Sequence, residues 1–359
     1  MRLTLTRPDD WHLHVRDGAS LPTVVAHTAR CFRRAIIMPN LLPPVTTTEQ
    51  ALAYRQRILD AVPEGTGFEP LMTLYLTDNT SPEEIVRAAE SGSLHGVKLY
   101  PAGATTNSDS GVTDVARVDP ALRAMAELGL PLLVHGEVTH PNVDVFDRER
   151  EFLSQVLAPL LERMPELAIV LEHVTTAEGV EFVKNAPGRV GATITPQHLL
   201  YNRNAIFQGG LRPHHYCLPV LKREHHREAL LDAAIGGDPR FFLGTDSAPH
   251  PRHAKEAACG CAGIYSAHAA LPLYAEAFEQ AGALDRLEGF ASTHGADFYG
   301  LPRNEDKVTL LREPWVVPES YPFGDRRLVP LRAGQSIPWR LLETGSSEIS
   351  TRTPKGVAG

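Results

Sequence analysis

Eight short apolar runs, each followed by an amphipathic stretch of helical length, constrain this chain more than any other feature. The runs are Trp11–Val15, Ala35–Met38, Leu71–Leu76, Gly96–Tyr100, Pro131–His135, Ala168–His173, Val190–Thr195 and Phe241–Gly244. The helical stretches are Leu21–Phe32, Thr48–Ala61, Pro82–Ser91, Pro120–Leu128, Arg148–Met164, Ala177–Asn185, Glu224–Ile235 and Ser266–Ala281. Strands separated by helices pair in parallel, because a parallel crossover needs about a dozen residues or more. Eight such units predict a (β/α)8 barrel of the TIM type. A doubly wound open sheet is the competing architecture, but no Gly-rich phosphate loop opens a helix after any of these runs. Pro82 and Pro120 suit first-turn positions, with Ser81 and Asp119 as N-caps.

The chain reads as one domain over residues 1–359. From about residue 300 it is rich in Pro and Arg, reads mostly as irregular, and is expected to wrap the barrel as a C-terminal extension. With the first strand starting near residue 10, no room is expected for an accessory β-sandwich before the barrel. The net charge of −8, with no Lys/Arg cluster, argues against nucleic acid or an anionic membrane as partner. No stretch approaches the ~18 apolar residues of a membrane span. Met1–Asp10 is polar and lacks a signal-peptide core, so a cytoplasmic location is expected. Cys31, Cys217, Cys259 and Cys261 fit neither a disulfide framework nor a zinc ribbon, and read as reduced thiols.

The chemistry begins in the first strand. Side chains alternate along a strand, so His12, His14 and Arg16 are expected on one face. Two imidazoles at that spacing can chelate one metal ion, and an arginine beyond them can hold an anion. The pair alone is a weak signal, since 16 histidines give roughly one His-x-His by chance. Four further residues lie at or near strand C-termini, where barrel enzymes build their sites: Lys98, His135, His173 and Asp246. Each alone has a bland reading, as a snorkelling lysine, a hydrogen-bonded histidine or a helix N-cap. Together they place six metal-compatible side chains at one barrel mouth. With Val97 and Leu99 facing the helices, Lys98 aims at the barrel centre, where a buried ammonium beside divalent cations is costly. Its neutral amine can instead take up carbon dioxide, giving a carbamate whose two oxygens suit bridging two metals. The segment 102–111, small and with two glycines, springs from the mouth directly after Lys98 and is expected to form a lid.

This ordered set resembles the binuclear amidohydrolase superfamily. Longer motifs sharpen the likeness: Tyr100-Pro-Ala-Gly-Ala-Thr-Thr-Asn-Ser108, His135-Gly-Glu-Val-Thr-His140, Arg212-Pro-His-His-Tyr-Cys-Leu-Pro-Val-Leu-Lys-Arg223 and Gly244-Thr-Asp-Ser-Ala-Pro-His250. They resemble the short, bacterial-type dihydroorotase class, from about Trp11 to about Phe298, with a departure at Gly103 where asparagine is expected. The resemblance implies reversible hydrolysis of L-dihydroorotate to N-carbamoyl-L-aspartate in pyrimidine biosynthesis. It implies one zinc on His12, His14, carboxylated Lys98 (N6-carboxylysine) and Asp246, a second on carboxylated Lys98, His135 and His173, and a hydroxide bridging them. Asp246 would shuttle the proton. The substrate carboxylate would meet Arg16, Asn40 and His250, Leu218 and Ala262 would contact the ring through backbone groups, and Thr105 and Thr106 would close over it. A homodimer is expected by the same likeness. Two alternatives stand beside this reading: another cyclic amidase, hydantoinase- or allantoinase-like, and a non-catalytic assembly subunit.

Overall fold

The computed structural model describes residues 1–342. A short strand, β1 (Arg2–Thr6), precedes eight parallel strands: β2 (Asp10–Leu13), β3 (Arg34–Ile37), β4 (Glu69–Tyr75), β5 (Leu94–Leu99), β6 (Leu132–His135), β7 (Ile169–Glu172), β8 (Val190–Ile194) and β9 (Phe241–Leu243). The order in the sheet from β2 to β9 is the order in the chain. The two ends meet just past β9, where Asp246 N donates to His12 O at 2.9 Å and His14 N to Ser247 O at 3.1 Å. The expected (β/α)8 barrel is the fold.

The predicted helices lie where capping chemistry puts them. Thr47 and Gln50 close a reciprocal capping box at the start of Thr48–Asp60, and Ser81 caps Pro82–Glu90, with Pro82 in the first turn. Asp119 is not an N-cap. A 3-10 turn, Val115–Val118, runs straight into the helix Asp119–Leu128, so Asp119 is its first residue and Asp114 does the capping one turn earlier, accepting from Ala116 N. The stretch Arg148–Met164 is helical but not uniformly α: Leu153–Leu157 is wound as π-helix between Arg148–Phe152 and Ala158–Arg163.

Alternation decides what the barrel interior contains. Ile36 and Met38, Leu71, Leu133, Val170 and Phe242 face inward and form one apolar cluster with Trp11. Their neighbours Ile37, Met72, Leu132, Val134, Leu171, Phe241 and Leu243 pack outward in the main core, against the helix layer. Lys98 takes the inward parity of β5, since Val97 and Leu99 belong to the outer core. On β2 simple alternation breaks. Trp11 joins the inner cluster and Leu13 the outer one, and the β2–β3 register shifts between Asp10 and Leu13. A bulge of this kind re-aims side chains. Trp11 faces the barrel floor, stacked on Tyr299 with ring centroids 4.5 Å apart, while His12 faces the mouth among His14 and His173.

Residues beyond Gly300 are less irregular than their composition predicts. β10 (Lys307–Leu311) pairs antiparallel with β1 and with Arg340–Leu341, and two further short pairs, Trp315–Val316 with Ser336–Ile337 and Tyr321–Phe323 with Arg326–Leu328, follow. These strands have two to five residues, too few for alternation to show through the prolines and arginines. β1 escapes a reading of the sequence for a related reason: it lies outside the barrel, half-exposed, and its partner is about 300 residues away in the chain. Val317, Leu331 and Ile337 pack on Cys217, Leu221 and Ile264, which joins this part of the chain to the loops above the barrel. Residues 343–359 of the expected extension lie outside the described residues.

Candidate active site

His12, His14 and Asp246 converge on one point. His12 Nε2 and His14 Nε2 are 3.3 Å apart, and each lies 3.2–3.3 Å from Asp246 Oδ1. All three residues are buried. The two far ring nitrogens differ: that of His14 is hydrogen-bonded and that of His12 is not. His14 Nδ1 lies 2.9 Å from Asn40 Oδ1, and His12 Nδ1 lies 3.0 Å from Glu172 Oε1, close but without hydrogen-bond alignment. An amide oxygen accepts only, so His14 Nδ1 carries its proton and Nε2 offers a lone pair. The His14 lone pair, the His12 imidazole once its proton is lost and the Asp246 carboxylate oxygen, facing one another, are a donor set for a cation.

A second convergence joins His12, Glu172 and His173. His173 sits just past β7 with φ +42°, in the left-handed region, which turns its ring inward beside His12 and His135, at centroid distances of 4.9 and 4.8 Å. Asp246 (φ +43°) and Arg16 (φ +60°) share that strained backbone. Each such residue costs of order 1–3 kcal/mol and persists only where its surroundings hold it. Thr193 Oγ1 and Thr193 O do so for His173 and Val174 by accepting their N–H groups, at 2.7 and 3.0 Å. His173 Nδ1 is buried with no partner, as expected of an atom that serves a ligand the protein itself does not supply.

Lys98 is fully buried at the centre, and its ammonium pairs with Glu172. Burial pushes the Lys98 amine below its usual range, with Glu172 opposing the shift. His135 joins neither convergence: its Nε2 lies 2.9 Å from Glu137 Oε2. Burial alone would depress His12, but the Glu172 and Asp246 carboxylates outweigh it and raise it to about 9. His14 falls to about 4 because burial outweighs Asp246. Burial would raise Asp246, yet its bonds to His12 and His14 hold it well below the carboxylate range.

Arg16, two residues beyond His14, is held on its far side. Its Nη2 lies 2.9 Å from His250 Nε2, and its Nε donates to Pro249 O at 3.0 Å. Burial and then Arg16 push His250 down to about 2, so it is a neutral ring here. Asn40 does more than face this site. While its oxygen fixes His14, its amide nitrogen donates to Thr106 O at 3.1 Å, and Asn107 Nδ2 donates to Asn40 O at 3.1 Å. Thr106 Oγ1 reaches Ala262 O at 3.3 Å, and Thr105 N donates to Ser108 Oγ at 2.8 Å. The segment 102–111 is thereby fastened across the mouth. Leu218 lies half-buried immediately before Pro219, whose carbonyl lies 3.2 Å from His198 Nε2.

A family model described as the amidohydrolase family matches residues 9–309. The chain belongs to the amidohydrolase family. A dihydroorotase of Alkalilimnicola ehrlichii is 67% identical over 341 residues, 95% of this chain and 99% of that protein. Among solved structures, a dihydroorotase of Campylobacter jejuni aligns at TM-score 0.87 and 38% identity, covering 95% of this chain and 97% of that one. A Saccharomyces cerevisiae dihydroorotase in complex with 5-fluoroorotic acid aligns at TM-score 0.87 and 35% identity, covering 95% and 98%.

Within this amidohydrolase site, sequence reasoning missed three carboxylates. Glu172 has the inward parity of Val170 two residues before it, a signal present in the chain. Glu137 follows His135 by two residues, where β6 has ended and parity no longer applies. Asp10 closes the barrel, accepting from His12 N (3.2 Å), Thr245 N (2.8 Å) and Thr245 Oγ1 (2.6 Å), and so ties His12 to the turn that carries Asp246. No local pattern announces a contact 235 residues long.

Proposed function

We infer that this chain is a dihydroorotase, which hydrolyses the ring amide of (S)-dihydroorotate to N-carbamoyl-L-aspartate reversibly, as a step of cytoplasmic pyrimidine biosynthesis. The observation that carries the reading is a near-full-length likeness to dihydroorotases that coincides with the His12–His14–Asp246 donor set at the barrel mouth.

Two zinc ions are proposed, the first at the His12–His14–Asp246 convergence. His12, His14, carboxylated Lys98 and Asp246 are proposed for one, and carboxylated Lys98, His135 and His173 for the other. With Nε2 held by Glu137, His135 has Nδ1 for a metal. Such ions lower the pKa of water and polarise an amide carbonyl. The chain's own groups do the rest. Asp246 takes up a proton and passes it to the departing ring nitrogen. Arg16, with its planar fork, binds the substrate carboxylate beside neutral His250. Asn40 has a second amide hydrogen for the same carboxylate, beyond the one given to Thr106 O. The Thr105–Thr106 segment closes over the ring and excludes water, and Leu218 and Ala262 meet the ring through their backbones. A homodimer is proposed on the resemblance alone. Among the described residues no helix is long and apolar enough to cross a membrane.

The test is direct. Purified protein should turn over dihydroorotate in both directions, leave hydantoin and allantoin nearly untouched, and contain two zinc equivalents whose removal abolishes activity. Metal-loaded protein inert toward dihydroorotate would overturn the reading in favour of another cyclic amidase or an assembly subunit. Arg16→Met is expected to lower kcat/KM for dihydroorotate on the order of 10²-fold, in line with ~1.5–3 kcal/mol for a hydrogen bond to a charged group. The same variant should narrow the preference over dihydrouracil, which lacks the carboxylate. Undiminished hydrolysis by Arg16→Met would move the anion site elsewhere.

A further inference from the structure

One buried cation stands apart from the metal-binding residues. Lys255 ends the short helix Arg252–Lys255 and is only 4% exposed, yet among the described residues no carboxylate pairs with it. Its Nζ donates to three backbone carbonyls: Tyr216 O at 2.8 Å, Cys261 O at 2.7 Å and Gly263 O at 2.7 Å. An ammonium has three hydrogens, so all are used. The carbonyls come from two different loops. Cys261 and Gly263 flank Ala262 on either side, and Tyr216 lies two residues before Leu218. Gly263 N donates to Tyr216 O at 3.0 Å and closes the knot.

The knot presses on the anion side of the site. Gly263 has φ +148°, and a Cβ placed there would lie 2.7 Å from Ala248 O and 2.9 Å from His250 Cδ2. The Gly263 backbone is thus packed directly on the ring that touches Arg16. A shift in either loop moves His250 and the two backbone positions together.

We propose that Lys255 is a positioning residue for substrate binding: its ammonium fastens the Tyr216, Cys261 and Gly263 carbonyls, and so fixes Leu218, Ala262 and His250 in the register that receives the ring and its carboxylate. The proposal rests on the dihydroorotase reading. It adds a group that touches neither substrate nor metal. The chemistry requires lysine at this position. Methionine matches the length but leaves three buried carbonyls unpaired, and a planar guanidinium cannot direct three hydrogens to one apex.

A pH signature follows. Burial lowers Lys255 to about 8. The groups around it are His214, His215, Tyr216 and Cys217 on one loop, His250 and Cys261 on the other side, and Arg252 and Glu256 on its own turn. A neutral amine gives up one of its three hydrogens and its charge. The fastening is therefore complete below about pH 8 and is lost as pH rises through it.

The experiment uses the zinc-loaded full chain and 5-fluoroorotate as competitive probe, with turnover of dihydroorotate by the wild type, run alongside, reporting separately on the parent reading. For Lys255→Met, Ki and KM are expected to rise about 10-fold or more while kcat changes by less than about threefold and zinc content is unchanged. Its Ki should also be flat with pH, whereas the wild-type Ki climbs through about pH 8. Lys255→Arg, charged throughout, should give an intermediate Ki with no rise near pH 8. If Lys255→Met fails to fold, the Arg variant and the wild-type profile decide. A Ki in Lys255→Met close to wild type, or a wild-type Ki that is flat from about pH 6 to 9.5, overturns the proposal.

Discussion

Lys98→Ala is expected to abolish turnover, with a loss on the order of 10³-fold or more, since metal activation supplies several kcal/mol and each ~1.4 kcal/mol is a decade. Lys98 has no exposed surface, so it cannot act by meeting solvent. Burial depresses its amine, which favours the neutral form, the one that attacks carbon dioxide. The ammonium first loses one proton; the neutral amine nitrogen then bonds to the carbon of carbon dioxide and loses a second, so a cation becomes an anion with two protons released. Glu172, now its partner, would become a like-charged neighbour in a dry pocket. Cations lying between the carbamate and the histidines remove that conflict, which makes modification and metal loading interdependent. The expected results are zinc content below two equivalents in Lys98→Ala, partial recovery of activity with a short carboxylic acid, and a native-state mass larger by one carbon dioxide in the wild type. An unmodified ammonium at Lys98 in active, zinc-loaded enzyme would sink the carbamate.

Residues whose placement follows from strand parity are legible in the amino-acid sequence. Lys98 and His135 lie inward because Val97, Leu99, Leu132 and Val134 lie outward, and apolar outward neighbours can be read from the chain. The barrel itself follows from the same period, repeated eight times. Departures from parity leave the convergence legible and its route hidden. His12 and His14 share a face as their spacing predicts, but a register shift in β2 turns that face to the mouth, where alternation counted from Trp11 would turn it away. His173 and Asp246 reach inward through left-handed backbone just past their strands, a conformation without a side-chain signature here. Asn40 illustrates a third limit. Its place shortly after β3 suggests it as a site residue, but its double attachment to His14 and Thr106 depends on a segment that lies more than 60 residues further along the chain. Glu137, Glu172 and Asp10 hold His135, Lys98 and Thr245, and nothing in composition separates such carboxylates from surface ones.

Asp246→Asn is expected to lower kcat by ~10²–10⁴-fold, the range for a lost general acid–base group, with a much smaller effect on KM. The substitution preserves shape. Asparagine keeps an oxygen that can face His12 and His14 Nε2, where Asp246 Oδ1 lies 3.3 and 3.2 Å away. Its nitrogen replaces the second carboxylate oxygen, and an amide cannot take up a proton and hand it on at neutral pH. The backbone of the turn should survive, because Asp246 N donates to His12 O and Thr245 is held by Asp10, contacts that do not involve the exchanged side chain. Zinc content then separates two roles that one residue is proposed to play. If Asp246 were needed only as a ligand, restoring full metal occupancy in the variant would restore turnover. If it moves the proton, activity stays low with both ions in place, and hydrolysis and ring closure fall together, since the same transfer is crossed in each direction. Near-normal kcat in fully loaded Asp246→Asn would assign the proton to another group, and Glu172, buried beside Lys98 and His12, would be the next to replace.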